Sequence, residues 1–328
     1  MNIIMLGAAG FIGKNLAIRL SKEWDNRITL VDVKKDFFYS KDSFLDSIDE
    51  QMLSIREEAF NENSDFDSIL MGQDIVYHLV STTTPTTSNQ HISQEIAENV
   101  GVTVNMLEAC VRCNVKKIIF FSSGGTVYGK DAKCPISEET ATYPISSYGL
   151  QKVTIEKLLY LYWYMYGLDY KIIRLSNPYG PFQRPNGILG AVTTFTYKAL
   201  KNEKIIVYGD GSVIRDFIYI DDVINAIINI ANEKNGYHIY NVGCGYGTSV
   251  NKILQIIENI MGKKLEVEYK PERKVDVPQN YLDISRYEKC FGKLSKISLY
   301  EGIIRTSNYM LNNICPYNFC DTGRENSK

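Results

Sequence analysis

Short apolar runs alternate with longer stretches of helical period through the first half of the chain. Ile3–Leu6, Ile28–Val31, Ile75–Leu79 and Ile118–Phe121 are compact apolar runs, and they read as buried strands. Between them, apolar positions recur at helical spacing near Ile12–Glu23, Ile92–Cys113 and Ser147–Tyr166, and Tyr170–Leu175 follows as a further strand. Such alternation predicts an α/β fold, a doubly wound parallel sheet of Rossmann type. Residues 33–72 are polar and poorly periodic, and no strand can be placed there from pattern.

Beyond Arg174 the texture changes. Asn177, Pro178, Gly180, Pro181, Pro185, Asn186 and Gly187 make a loop-rich passage into a second, smaller α/β domain. A helix over Leu189–Lys201, a strand over Ile205–Tyr208 and a helix over Ser249–Met261 are expected there, while Tyr219–Val242 reads as a return to the first sheet. The expected division is therefore 1–175 with about 217–243 as one domain, 176–216 with 244–314 as the other, and 315–328 as a polar tail.

Bulk properties narrow the function classes. Acidic and basic residues nearly balance at a net charge of -2, which argues against a nucleic-acid partner. No apolar run reaches membrane-spanning length and no secretory leader precedes the first strand, so a soluble, cytoplasmic protein without a membrane partner is expected. Cys110 and Cys113 form a C-x-x-C inside a helical pattern with no second ligand pair, which reads as packed, reduced thiols rather than a metal site.

Two local patterns carry chemistry. The first is Gly7-Ala-Ala-Gly10-Phe-Ile-Gly13 between a strand and a helix, with Asp32 ending the next strand. Glycines let a pyrophosphate approach the backbone at a helix N-terminus. A carboxylate at the end of the second strand accepts ribose hydroxyls and repels the extra phosphate of NADP, so NAD is the expected cofactor. Lys34 and Lys35 follow closely and could soften that discrimination. The second pattern is Tyr148 and Lys152, four residues apart at the start of a helix and so on one face. A nearby ammonium, together with the positive nicotinamide, favours the phenolate and makes tyrosine a usable base. Tyr-x-x-x-Lys alone is equally a surface pair. The strand ending in Ser122-Ser123-Gly-Gly-Thr126 lifts it, because ligands bind at the C-terminal edge of such sheets.

Taken with HLVSTTTP, SSGGTVYG, PISSYGLQK, RLSNPYGP and GDGSVIRDFIYIDD, these motifs resemble the extended short-chain dehydrogenase/reductase family, and within it the UDP-glucose 4-epimerase-like sugar epimerases and dehydratases. The likeness runs to about Asn312. It implies Tyr148 as base with Lys152 as its partner, and NAD contacts from Gly7, Gly10, Phe11, Ile12, Gly13, Asp32, Leu79, Asn99 and Lys152. For a nucleotide-sugar substrate, a UDP-hexose, it implies Thr84, Ser123, Tyr148, Asn177, Arg215, Arg273 and Asp276. The family's catalytic Ser or Thr falls here on Gly124, so Ser123, or else Thr126, is expected to supply the hydroxyl. Gly124, Gly125 and Thr126 offer no carboxylate, which disfavours dehydration. A small Asn280, where the family can carry tyrosine, would admit N-acetylhexosamines. The resemblance also implies a homodimer through helices near Ile92–Cys113 and Gly149–Tyr166, although the tyrosines at 160–166 could equally be core. The expected activity is 4-epimerisation. A 4-keto-sugar reductase using NAD(P)H, or a silent dinucleotide sensor, are the alternatives.

Overall fold

The computed structural model describes residues 1–23, 25–39, 44–48, 52–85, 87–185, 190–234, 236–272 and 277–314. Its first half contains β1 (Asn2–Leu6), α1 (Phe11–Leu20), β2 (Arg27–Asp32), β3 (Leu53–Glu57), α2 (Phe66–Leu70) and β4 (Ile75–His78). After these come α3 (Ile92–Ile96), α4 (Val102–Arg112), β5 (Lys117–Ser123), α5 (Ser147–Tyr166), β6 (Asp169–Leu175) and β7 (Asn177–Tyr179). The remainder runs α6 (Ala191–Lys201), β8 (Ile205–Tyr208), β9 (Ile214–Arg215), β10 (Phe217–Tyr219), α7 (Ile220–Asn232), β11 (Ile239–Val242) and β12 (Thr248–Ser249). It closes with α8 (Val250–Met261), β13 (Val267–Lys270), β14 (Gln279–Asn280), α9 (Ser285–Phe291) and α10 (Leu299–Asn313).

Seven strands form one parallel sheet in the order β11-β6-β5-β4-β1-β2-β3. The strand order reverses between β1 and β4, and a crevice opens there beyond the strands' C-terminal ends. Along β1, Ile3 and Met5 face one core while Ile4 and Leu6 face the other, as the period of two requires. Helices α1 and α7 cover the first face, and α2, α4 and α5 the second. This is the Rossmann-type α/β fold expected from the alternation. Strand β3 lies in the segment where no strand was placed. It is an edge strand with only partly buried side chains, so it carries no continuous apolar run. The expected helix over 92–113 is broken by a wider turn at Ala97–Gly101 into α3 and α4. The smaller sheets are β12-β9-β14, β8-β13 and β7-β10.

Local signals fix the helices that matter for the site. Ser146 caps α5 by accepting from the Gly149 N–H, and Gly167, left-handed at φ 73°, ends it. Cys110 is buried in the core, and the Cys113 thiol donates to the Asp67 carbonyl, so this pair serves packing. Among the described residues no helix is long and apolar enough to cross a membrane.

The start of α1 is held by a contact only glycine permits. A Cβ on Gly13 would lie 2.4 Å from the Ala8 carbonyl oxygen. Gly13→Ala should therefore push α1 off the glycine loop and lower stability by about 2 kcal/mol. Thermal unfolding checks this, and an unchanged midpoint would show that the loop yields freely.

Candidate active site

A cavity of about 820 Å³ opens at the reversal of strand order, and Gly7, Gly10, Phe11, Asp32, Leu79, Asn99 and Lys152 line it. Gly7 sits at φ +84°, and a Cβ there would come within 3.0 Å of the Val80 nitrogen, so the turn keeps the cleft open only with glycine. No side chain caps the first turn of α1, which leaves its N–H groups and the positive end of the helix dipole for a phosphate. Gly13 lies behind the turn and Ile12 packs on the core, so neither side chain position belongs to the cleft wall.

Asp32 accepts from the Ala9 and Val33 N–H groups at 2.8 and 2.9 Å, which fixes its carboxylate at the mouth of β2. Beyond it, Glu58, Phe60, Phe66 and Phe37 line an aromatic end of the cleft, a wall that pattern reading missed because its residues flank the unplaced β3. Phe60 and Phe66 stack with centroids 5.3 Å apart. Glycine turn, helix end, carboxylate and aromatic slot together fit a dinucleotide.

The inner end of the cleft is set by α5. Tyr148 and Lys152 share one face of that helix, and the Lys152 ammonium lies 5.5 Å from the Tyr148 ring centroid and 4.8 Å from that of Phe120. Burial pushes the lysine down to about 8, against the pull of Glu156. Burial also pushes the Tyr148 phenol up to about 12. The chain's own groups thus leave Tyr148 protonated, and the lysine alone does not bring it into working range. His78, on the opposite wall, is held neutral: burial first, then Lys152, lowers it to about 3.

Helix α5 reaches this position because Gly149 lets it touch the hydroxyl loop. A Cβ there would fall 2.6 Å from the Thr126 carbonyl oxygen. At the end of β5, Ser122 is turned inward, donating to Glu156 at 2.5 Å, while Ser123 is half-buried at the strand's edge. Gly124 carries no side chain for a physical reason: a Cβ would lie 2.6 Å from a methyl of Leu282 and 3.2 Å from the Arg174 carbonyl oxygen. Asn280, on β14, is buried beside it, its amide 3.4 Å from the Gly124 carbonyl and its own carbonyl oxygen buried without a partner among the described residues. The Thr126 hydroxyl is likewise buried and unpartnered.

The remaining sequence candidates fall in several places. Asn99 is a buried staple rather than a helix-surface amide. It exchanges hydrogen bonds with Thr82 and donates to the Glu95 carbonyl, fixing the threonine loop after β4. Thr84 pairs with Thr87 within that loop. Asn177 donates to the Asp216 carbonyl, and Arg215 to the carbonyls of Ile214 and Val277. Arg273 and Asp276 lie outside the described residues.

The model of the NAD dependent epimerase/dehydratase family matches residues 3–243. A putative UDP-glucose 4-epimerase of Methanocaldococcus jannaschii is 35% identical over 314 residues, covering 95% of this chain and 99% of that one. A dTDP-4-dehydro-6-deoxyglucose reductase of Escherichia coli is 31% identical over 312 residues, covering 92% and 95%. Among solved structures, the UDP-glucose 4-epimerase of Thermotoga maritima with UDP-glucose superposes with a TM-score of 0.86 at 32% identity, covering 95% of this chain and 99% of that one. With the cleft, its acidic stop and the Tyr148–Lys152 pair already in place, the conclusion is direct: the chain belongs to the NAD dependent epimerase/dehydratase family and is an enzyme that works with NAD.

Proposed function

We propose that the protein is a nucleotide-sugar 4-epimerase acting on UDP-hexoses. The observation that carries this reading is the half-buried Tyr148 beside the buried Lys152 that lines the NAD cleft, next to a strand end that offers hydroxyls and no carboxylate. NAD, held by Gly7, Gly10, Asp32 and Lys152, would supply the acceptor for the C4 hydride and its donor to the other face of the sugar. Tyr148 takes the C4 hydroxyl proton and gives it back after the 4-keto sugar has turned. Lys152 orients the nicotinamide ribose through its ammonium hydrogens, and its charge lowers the cost of the phenolate. Ser123 donates to the reacting oxygen. Residues 1–175 with about 217–243 hold the cofactor in this reading, and 176–216 with 244–314 hold the nucleotide sugar through Asn177, Arg215, Arg273 and Asp276, with Thr84 reaching it from the first domain.

The likeness to an Escherichia coli 4-keto-sugar reductase favours a second reading, in which the same tyrosine and lysine reduce a 4-keto sugar with exchangeable NADH. Incubation with UDP-glucose, UDP-galactose and their N-acetyl counterparts, with no cofactor added, separates the two. Interconversion of C4 epimers at comparable rates in both series is expected, because Asn280 leaves room for the acetamido group. Exclusion of the N-acetyl sugars would remove that role from Asn280. Turnover only of a 4-keto sugar, with stoichiometric loss of NADH, would replace the epimerase by the reductase.

The hydroxyl assignment has its own test. Ser123→Ala should lower kcat about 100-fold. Adding Gly124→Ser should not restore it, since Leu282 fills that space, whereas Gly124→Ser with Leu282→Ala should. Loss of kcat in Thr126→Ala, with Ser123→Ala active, would move the role to Thr126.

A second copy of the chain is the proposed partner. Leu150, Leu161, Tyr164 and Met165 stand exposed on the outer side of α5, with Lys157 the charge among them. Sedimentation of the wild type as a dimer and of Leu161→Glu as a monomer is expected. A monomeric wild type would refute the pairing.

A further inference from the structure

The most deeply buried ion pair among the described residues lies one helical turn beyond Lys152. Tyr148, Lys152 and Glu156 follow one another at intervals of four along the inner face of α5. Glu156 and Arg174 are both almost wholly buried. Their contact is two-pronged, with Arg174 Nε 3.0 Å from Oε1 and Nη2 2.6 Å from Oε2. The Ser122 hydroxyl donates to the same carboxylate at 2.5 Å, and Ser122 immediately precedes Ser123 on β5. On the far side, Arg174 donates to the Tyr128 hydroxyl at 3.0 Å, and that hydroxyl donates to Asn241 at 2.7 Å. Asn241 in turn donates to the carbonyls of Ile136 and Asp283 at 2.8 and 3.1 Å. One unbroken series of hydrogen bonds thus joins the catalytic helix, the strand bearing the hydroxyl, and the segment carrying Asn280 and Leu282.

A buried ion pair is a weak source of stability, since apolar residues of the same volume would hold a helix to a sheet as well. What apolar residues could not do is fix the height of α5 against β5 through directed bonds, or place a negative charge beside Lys152. We infer that Glu156 is a positioning residue for the Tyr148–Lys152 pair, setting the register of α5 against Ser123 and placing a negative charge one helical turn from Lys152. Among the charged and titratable groups on the elements around Lys152 are His78 on β4, Glu95 on α3, Glu98 in the following turn, Tyr148 and Glu156 on α5, and Arg174 on β6. His78 is neutral, Glu98 is engaged by Gln94 and Thr82, and Glu95 is turned to Gln151 and to the Asn89 and His91 N–H groups. Burial works against the ammonium, and the charge of Glu156 works for it.

This inference rests on the epimerase reading for its kinetic readout and not for the others. In Glu156→Gln, with the cofactor bound, kcat should fall about 100-fold with KM little changed. The alkaline limb of the pH profile should move to lower pH, and NAD affinity should begin to fall at a correspondingly lower pH. Glu156→Leu with Arg174→Leu removes both charges together. It should leave the alkaline limb at its lowered place and kcat low, because the negative charge beside Lys152 and the directed bonds are both gone. Should Glu156→Gln fail to fold, this double variant and Ser122→Ala, with a smaller kcat loss, carry the test. A change confined to the unfolding temperature, with kcat, pH limb and NAD affinity as in the wild type, would leave the pair a purely structural one and overturn the inference. If the wild type converts no UDP-sugar, the epimerase reading fails, and the pH dependence of NAD affinity still decides the role of Glu156.

Discussion

Helix α5 lies against the sheet with a tyrosine, a lysine and a glutamate on its inner face and little water to solvate them. Desolvation is the constraint from which the rest of the site follows. It raises the phenol and lowers the ammonium, so each group taken alone is driven to its neutral form. The fold answers with geometry. Arg174 neutralises Glu156 from the neighbouring strand, Phe120 offers its ring face to Lys152, and Ser122 satisfies the remaining carboxylate lone pair. In the proposed reaction, the positive charge of bound NAD would be what favours the Tyr148 phenolate.

Much of this was legible before any coordinates. Strand, glycine turn, helix and acid stand in order from Asn2 to Asp32, and each part has a local cause, so the cofactor cleft could be read from sequence spacing. The helix from Ser147 to Tyr166 was legible because its cap and its glycine stop lie in the sequence beside it. Strand β3 was not, because an edge strand with one partner and half-buried side chains has no apolar run to betray it. The tie between Asn99 and Thr82 was not legible either, because nothing in the sequence shows that the threonine loop folds back over that helix.

The floor beneath the hydroxyl loop shows a different kind of illegibility. The absence of a side chain at Gly124 reads, in isolation, as a missing catalytic group. In space it is one half of an exchange whose other half, Leu282, lies far along the chain. Asn280 and Asp216 belong to the same assembly. The Asp216 carboxylate receives the N–H groups of Cys244 and Leu282 and the Ser176 hydroxyl, and so pins that strand under β5 and β6. Long-range pairings of this kind leave no periodic trace.

The provenance of that floor has a consequence for how the enzyme is made. Ribosomal synthesis delivers Gly7, Asp32, Tyr148 and Lys152 first, and a nascent chain can begin to assemble the dinucleotide cleft around them. The strand that completes the edge of the large sheet, and the residues from Asn280 to Leu282 that underlie the hydroxyl loop, emerge from the last third of the chain. Until they arrive, the space beneath the hydroxyl loop at Gly124 is unfilled. The glycine turn and its acid thus come from the start of the chain, and the packing that fixes the hydroxyl loop from near its end.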